Sequence, residues 1–97
     1  MKVGQRYRLR LINIHTFRPS LIARLVRDST VLTWRAIAKD GVDLAPDQAT
    51  TRPAIQQMGN GETFHFEVVP SAPGELRFWI TTGVNVPLVS LPVRVRP

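Results

Sequence analysis

The side chains that could carry metal or acid–base chemistry are few in this chain and widely spread. His15 and His65 are its only histidines, fifty residues apart. With a carboxylate they form a weak candidate for a metal site, because imidazole and carboxylate groups are ordinary metal ligands. Their spacing matches no ligand pattern, so a solvated or hydrogen-bonded histidine is the favoured interpretation of both positions.

Three aspartates, Asp40, Asp43 and Asp47, gather around one predicted turn and at first suggest calcium. They lack the DxDxDG loop and the closing bidentate glutamate of an EF-hand, which favours an exposed turn. The sequence also shows no Ser-His-Asp order, no glycine-rich phosphate loop and no paired catalytic carboxylates. We therefore expect no catalytic and no cofactor-binding residue in this chain.

Cysteine is absent from the sequence. Its absence excludes disulfides, iron–sulfur clusters, thiolate zinc sites and a cysteine nucleophile. It also excludes a blue-copper centre, which needs one cysteine thiolate beside two histidines.

Residues 4–13, GQRYRLRLIN, carry the clearest structural pattern. Read as a strand, they place Tyr7, Leu9 and Leu11 on one face and alternate arginines on the other. The pattern predicts a half-buried strand with a row of arginines on its outer face.

Short apolar or alternating runs recur along the rest of the chain between turn residues. We predict further strands at residues 21–26, 31–39, 54–58, 63–69, 76–80 and 88–95. Trp34 is expected in the core, whereas Trp79 falls on an outward face. About seven short strands without helical periodicity predict an all-β sandwich or barrel.

Length and composition fit a single globular domain. The chain has 97 residues, of which 43% are apolar, and this share argues against disorder. The opening residues lack the apolar stretch of a signal peptide, and no apolar run is long enough to cross a bilayer. The prediction is one soluble domain, residues 1–97, with no membrane partner.

The net charge of +6 comes from 11 arginines and 2 lysines against 7 acidic residues. An excess of positive charge of this size suggests nucleic acid or another anionic molecule as a partner. Nucleic-acid binders usually cluster basic residues among stacking aromatics, whereas these arginines alternate along strands. That pattern favours a solvated sheet face, or arginines paired with Asp and Glu of neighbouring strands, over a nucleic-acid interface. The predicted interaction surface comprises Arg6, Arg8, Arg10, Arg77 and Trp79.

Four segments resemble motifs of the cupredoxin-like domains of multicopper oxidases, in the same order and spacing. They are GQRYRLRLIN, WRAIAKDGVDLAP at residues 34–46, MGNGETFHFEV at 58–68 and PGELRFWI at 73–80. Each motif is weak alone, but together they cover nearly the whole chain. The resemblance implies a cupredoxin-like Greek-key sandwich.

The copper ligands of that family have no counterpart here. In its copper-bearing domains the strand that resembles residues 75–80 runs into a His-Cys-His segment, whereas this chain continues as TTGVNVPL. The paired HxH motifs of the trinuclear cluster are absent as well. The chain is therefore similar to the copper-free middle domain of a three-domain oxidase, which implies copper in the parent protein but none in this chain.

Family domains usually have one or two strands before the segment that resembles residues 4–13, and here three residues precede Gly4. By that comparison we expect an N-terminally truncated fragment of a larger oxidase, with an exposed sheet edge. We hypothesise that the isolated chain forms a homodimer or swaps strands through this edge. The resemblance also implies neighbouring cupredoxin domains as partners and a periplasmic or secreted parent protein.

Three hypotheses of function follow from the sequence. The first is a non-catalytic structural or interaction module of a multicopper oxidase. The second is a part of a copper-dependent oxidoreductase whose ligands lie in other domains. The third is a basic module that binds nucleic acid or another anionic partner.

Overall fold

The computed structural model describes residues 1–13, 20–82 and 86–97, and in these ranges the regular secondary structure is all strand. The strands are β1 (Tyr7–Ile12), β2 (Ser20–Arg27), β3 (Thr30–Val31), β4 (Thr33–Lys39), β5 (Val42–Asp43), β6 (Thr51–Pro53), β7 (Ile55–Gly59), β8 (Thr63–Val68), β9 (Gly74–Thr82) and β10 (Pro87–Val95). Their number exceeds the prediction of about seven because β3, β5 and β6 are only two or three residues long. None of the described residues forms a helix that is long and apolar enough to span a membrane.

Two antiparallel sheets pack face to face. Sheet I has the order β1-β8-β4-β5, with β6 also paired to β4. Sheet II has the order β10-β9-β2-β3, with β7 also paired to β2. The predicted all-β sandwich is confirmed.

The core lies between the sheets and follows the alternation of the sequence. Leu11, Phe66 and Trp34 fill it from sheet I, and Leu25 and Leu76 fill it from sheet II. The rings of Trp34 and Phe66 are stacked with their centroids 4.1 Å apart, and each residue is only 1% exposed. The prediction that Trp34 belongs to the core is confirmed.

The residues at two hairpin turns are of types that tolerate the backbone conformation found there. Asp28 and Ser29 join β2 to β3 with positive φ angles of 48° and 69°, and Asp40 and Gly41 join β4 to β5 with φ angles of 51° and 80°. Positive φ at both central residues is the conformation that fits the twist of a two-residue hairpin. Short polar residues and glycine tolerate this conformation best.

One side of the sandwich is closed by the chain itself. β6 belongs to sheet I and β7 to sheet II, so the chain crosses between the sheets at Ala54, which is fully buried. The Ala54 N–H donates to the carbonyl of Leu32, and the Ala54 carbonyl accepts from the N–H of Leu25. These bonds join the two sheets along this side.

The opposite side is bounded by β1 and β10, the outermost strands of the two sheets. At one end of this side, Lys2 pairs with Arg96 in a parallel bridge, and the Val3 N–H donates to the Arg96 carbonyl at 2.9 Å. In the described part of the chain, β1 pairs with β8 alone and β10 with β9 alone apart from this bridge. The sandwich is therefore closed on one side and joined only at one end on the other.

Candidate interaction surfaces

The histidine pair cannot be assembled from the described residues, because His15 lies outside them. His65 lies in β8, on the outer side of sheet I opposite Arg10. Among the described residues, no group of three or more His, Cys, Asp or Glu is arranged to hold a metal ion. Asp40 has a structural contact, since its Oδ1 accepts a hydrogen bond of 2.9 Å from the Thr63 N–H.

Four arginines cover the outer surface of sheet I, which we term the basic face: Arg6, Arg8, Arg10 and Arg35. Arg8 and Arg35 both lie opposite Glu67 in the strand register, one on each side of β8. The Glu67 carboxylate is 4.0 Å from Arg6 and 3.8 Å from Arg35, so it is shared between two guanidinium groups. Asp43 in β5 lies in register with His65 through Ala38 and is close enough for its charge to act on that histidine. Among the described residues, two carboxylates thus lie near four arginines, and the basic face keeps an excess of positive charge.

His65 is held in its neutral form within the basic face. The Arg8 Nε donates to the His65 Nδ1 at 3.0 Å, which assigns the ring proton to Nε2. Desolvation lowers the pKa of His65, and the nearby charges of Arg8 and Arg10 lower it further. The histidine thus adds no positive charge at neutral pH.

We expect the Arg8→Gln substitution to raise the pKa of His65, because it removes one of the two cations that disfavour the imidazolium. NMR titration of the His65 ring in a His15→Gln background measures this directly. Arg35→Gln is the control and should leave the pKa of His65 where it is, since Arg35 is not among the charges that shift it. Equal shifts in the two variants would contradict the assignment of Arg8 as the perturbing charge.

The same shift predicts how stability depends on pH. The folded-state pKa of His65 lies below its unfolded value near 6.5, so the unfolded chain binds more protons. The contribution of His65 to the free energy of unfolding is present above its unfolded pKa and is lost as the pH falls through its folded-state pKa. Arg8→Gln should weaken this dependence, as urea unfolding at a series of pH values would show.

The outer surface of sheet II carries the second set of predicted interaction residues. Trp79 is 39% exposed and lies opposite Arg24 in the register of β2 and β9. Together with Arg77 and the Asp28–Ser29 turn, these residues line a groove of about 700 Å³. Arg77 is engaged locally, with its Nη1 donating to Ser90 Oγ at 2.7 Å and its Nη2 3.3 Å from a Glu75 carboxylate oxygen.

The five residues predicted as one interaction surface therefore occupy two surfaces. Arg6, Arg8 and Arg10 belong to the outer face of sheet I, while Arg77 and Trp79 belong to the outer face of sheet II. Because the inner faces of the sheets pack together, the two groups of residues point in opposite directions, on the two outer faces of the sandwich. No single flat partner surface can contact both.

A third surface lies between β1 and β10, and we term it the seam. Val89 and Leu91 lie opposite the inward-facing Ile80 and Phe78, so they point toward the space between the sheets. Nevertheless Val89 is 39% and Leu91 53% exposed. Leu91 stays exposed because the sandwich is open here. It lies on an apolar cleft of about 240 Å³ whose lining residues are Met1, Leu9, Arg10, Leu11, Leu25, Phe78, Leu91 and Val93.

The seam is not predictable from alternation, which by itself assigns Val89 and Leu91 to the core. One signal is present in the same segment. Pro87 and Pro92 fall within the last strand, and proline in a strand marks an edge position because it cannot donate to the ladder. The edge position of β10 is therefore readable from the sequence, although the opening beside it is not.

Comparison with protein-family models, with curated proteins and with solved structures gives no match to this chain.

Proposed function

We propose that this chain is a non-catalytic, cupredoxin-like interaction module of a multicopper oxidase, and that it packs against a neighbouring domain through the seam. The observation that carries the proposal is the exposure of Leu91, an inward-pointing core side chain left 53% accessible at the open side of the sandwich. An inward-pointing apolar side chain that this chain leaves exposed can be covered by side chains of another polypeptide.

The energetics favour such a completion. Full burial of a leucine or valine side chain contributes about 1.5–3 kcal/mol, so covering the exposed halves of Leu91 and Val89 would contribute roughly 1 kcal/mol each. Leu9 and Phe78, which are partly buried beside the same cleft, would add to this gain. A partner at the seam thus gains affinity from side chains that the module already holds in place.

The oxidase assignment is supported by where the four resembling motifs lie. Three of them include β1, β4 and β8, which are adjacent in sheet I, and the fourth includes most of β9 in sheet II. The motifs therefore lie on three neighbouring strands of sheet I, including its edge strand β1, and on one strand of sheet II. In such a protein the copper chemistry would belong to other domains, because this chain lacks the cysteine that a blue-copper site requires.

Binding of the neutral apolar dye Nile red tests whether the seam is an open apolar surface. We expect the fluorescence to rise on binding to the native chain and to fall severalfold in the Leu91→Ser variant. Val42→Ser is the matched control, because Val42 is 69% exposed and lies in the β4–β5 hairpin rather than at the seam. Dye binding that is absent, or equal in both variants, would refute a packing role for the seam.

Copper titration of the folded chain tests the non-catalytic part of the proposal. We expect no tight, stoichiometric copper binding, and His65→Gln should bind the metal as weakly as the native chain does. Blue-copper and cluster sites need ligands that this sequence lacks. A result of about one tightly held copper per chain would therefore overturn the non-catalytic part of the proposal.

A further inference from the structure

We propose that the seam takes up an extended acidic segment of that neighbouring domain, which adds as a strand to the free edge of β1. This inference rests on the proposed function and specifies the partner by its chemistry. The segment would be about six residues long, to match Tyr7–Ile12, with apolar and acidic side chains alternating along it.

The free edge of β1 is better suited to strand addition than that of β10. β10 contains Pro87 and Pro92, which lack an N–H, and its last residues border the bridge between Lys2 and Arg96. β1 contains no proline, and within the described residues its outer edge pairs with no strand. An unpaired edge of this kind presents a row of backbone donors and acceptors to an added strand.

The inward side chains of an added strand would enter the apolar cleft. Successive side chains of a strand point to opposite faces, so every second one would lie beside Leu9 and Leu11 and face Leu91 across the seam. These positions call for apolar residues. They would complete the core on the side that the chain leaves open.

The outward side chains of the same strand would lie beside the arginine row of the basic face. Arg10 borders the cleft, and it has no carboxylate partner within the described part of the chain. Opposite charges on neighbouring strands attract and like charges repel. The outward positions therefore call for aspartate or glutamate, which would lie next to Arg8 and Arg10.

The same charges disfavour a second copy of this chain as the occupant. Pairing of β1 with β1 of another copy would bring two rows of arginines side by side on one sheet face. Such like-charged neighbours destabilise a strand pair, and Glu67 is already shared between Arg6 and Arg35. Charge complementarity thus selects an acidic strand over the homodimer expected from the sequence.

A labelled peptide of about eight residues with alternating valine and glutamate tests the proposal in fluorescence anisotropy. We expect it to bind and to weaken as salt is added, because exposed charge pairs are screened. Lysine in place of glutamate, and a scrambled order of the same residues, should each weaken binding by about tenfold or more. Hydrogen exchange of the native chain should slow at alternate β1 amides when the acidic peptide is present.

Charge reversal at the arginine row gives a test that does not depend on loss of binding alone. The Arg8→Glu, Arg10→Glu double variant should lose the acidic peptide and bind the lysine peptide instead. The Arg8→Lys, Arg10→Lys variant should keep its preference for the acidic peptide. If the double reversal fails to fold, Arg10→Glu alone should shift the preference in the same direction.

Three results would overturn the strand-addition proposal. One is equal affinity for the acidic, lysine and scrambled peptides. Another is a concentration-dependent dimer that protects the β1 amides without peptide. The third is an oligonucleotide that binds the basic face more tightly than the acidic peptide and displaces it. If Nile red still binds at Leu91 in any of these cases, the packing role of the seam stands and only the acidic strand is excluded.

Discussion

Replacing Trp34 by alanine is expected to lower the free energy of unfolding by about 3–5 kcal/mol, the range for truncation of a buried large aromatic residue. Trp34 is 1% exposed and is stacked on Phe66 with ring centroids 4.1 Å apart, so its removal leaves a cavity in the centre of the core. Domains are commonly stable by only about 5–15 kcal/mol. The substitution should therefore remove a large part of the total stability.

Trp79→Ala is the matched control, because Trp34 and Trp79 are the only two tryptophans and differ in their environment. Trp79 is 39% exposed on the outer face of sheet II, so its loss should cost less than that of Trp34, about 1–2 kcal/mol. Urea unfolding followed by circular dichroism measures both variants. If Trp34→Ala does not fold, Trp34→Phe should fold with a smaller loss, and equal losses at the two tryptophans would contradict the assigned core.

The parts of the fold that can be predicted from the sequence are those set by local alternation. Residues such as Leu11, Phe66 and Leu76 are expected in the interior because side chains of a strand alternate between two faces, and the structure buries all three. The turns at Asp28 and Asp40 are equally local, since a few residues determine the backbone conformation there. The residue types within a few positions of each other are therefore sufficient to predict these buried positions and turns.

The parts that escape prediction depend on contacts between distant segments. No local pattern tells whether Arg10 and Arg77 lie in one sheet or in two, and the structure places them on opposite outer faces. Nor does alternation distinguish Leu91 from Leu76, although one is 53% and the other 1% exposed. The difference arises because β10 is an edge strand beside an opening, which is a property of the whole topology.

The arginines illustrate how the same row can have two roles. Within the chain, Arg8 is hydrogen-bonded to His65, and Glu67 lies near both Arg6 and Arg35. These exposed pairs contribute little to stability, since surface ion pairs are commonly worth about 0–1 kcal/mol. The excess of positive charge beside the seam therefore adds little to the stability of the fold, and the peptide experiments test our proposal that it complements an acidic strand.

Replacing Gly74 by alanine is expected to cost about 2–4 kcal/mol, the largest effect we predict outside the core. Gly74 has a φ of +131°, a conformation that residues with a side chain rarely adopt. An added Cβ would also lie 2.6 Å from Arg27 Nη1. That guanidinium is held in place, because its Nη1 donates to the Pro73 carbonyl at 2.9 Å and its Nη2 to the Ala72 carbonyl at 2.8 Å.

Backbone strain and the clash with Arg27 can be separated by a double-mutant cycle. In an Arg27→Ala background the obstructing group is gone, so Gly74→Ala should cost only the strain, about 1–3 kcal/mol. Gly41→Ala tests strain alone, because Gly41 has a φ of +80° and a Cβ added there would meet nothing within 4 Å. Urea unfolding of the four chains of the cycle gives the coupling, and strictly additive losses would show that Arg27 moves aside without cost.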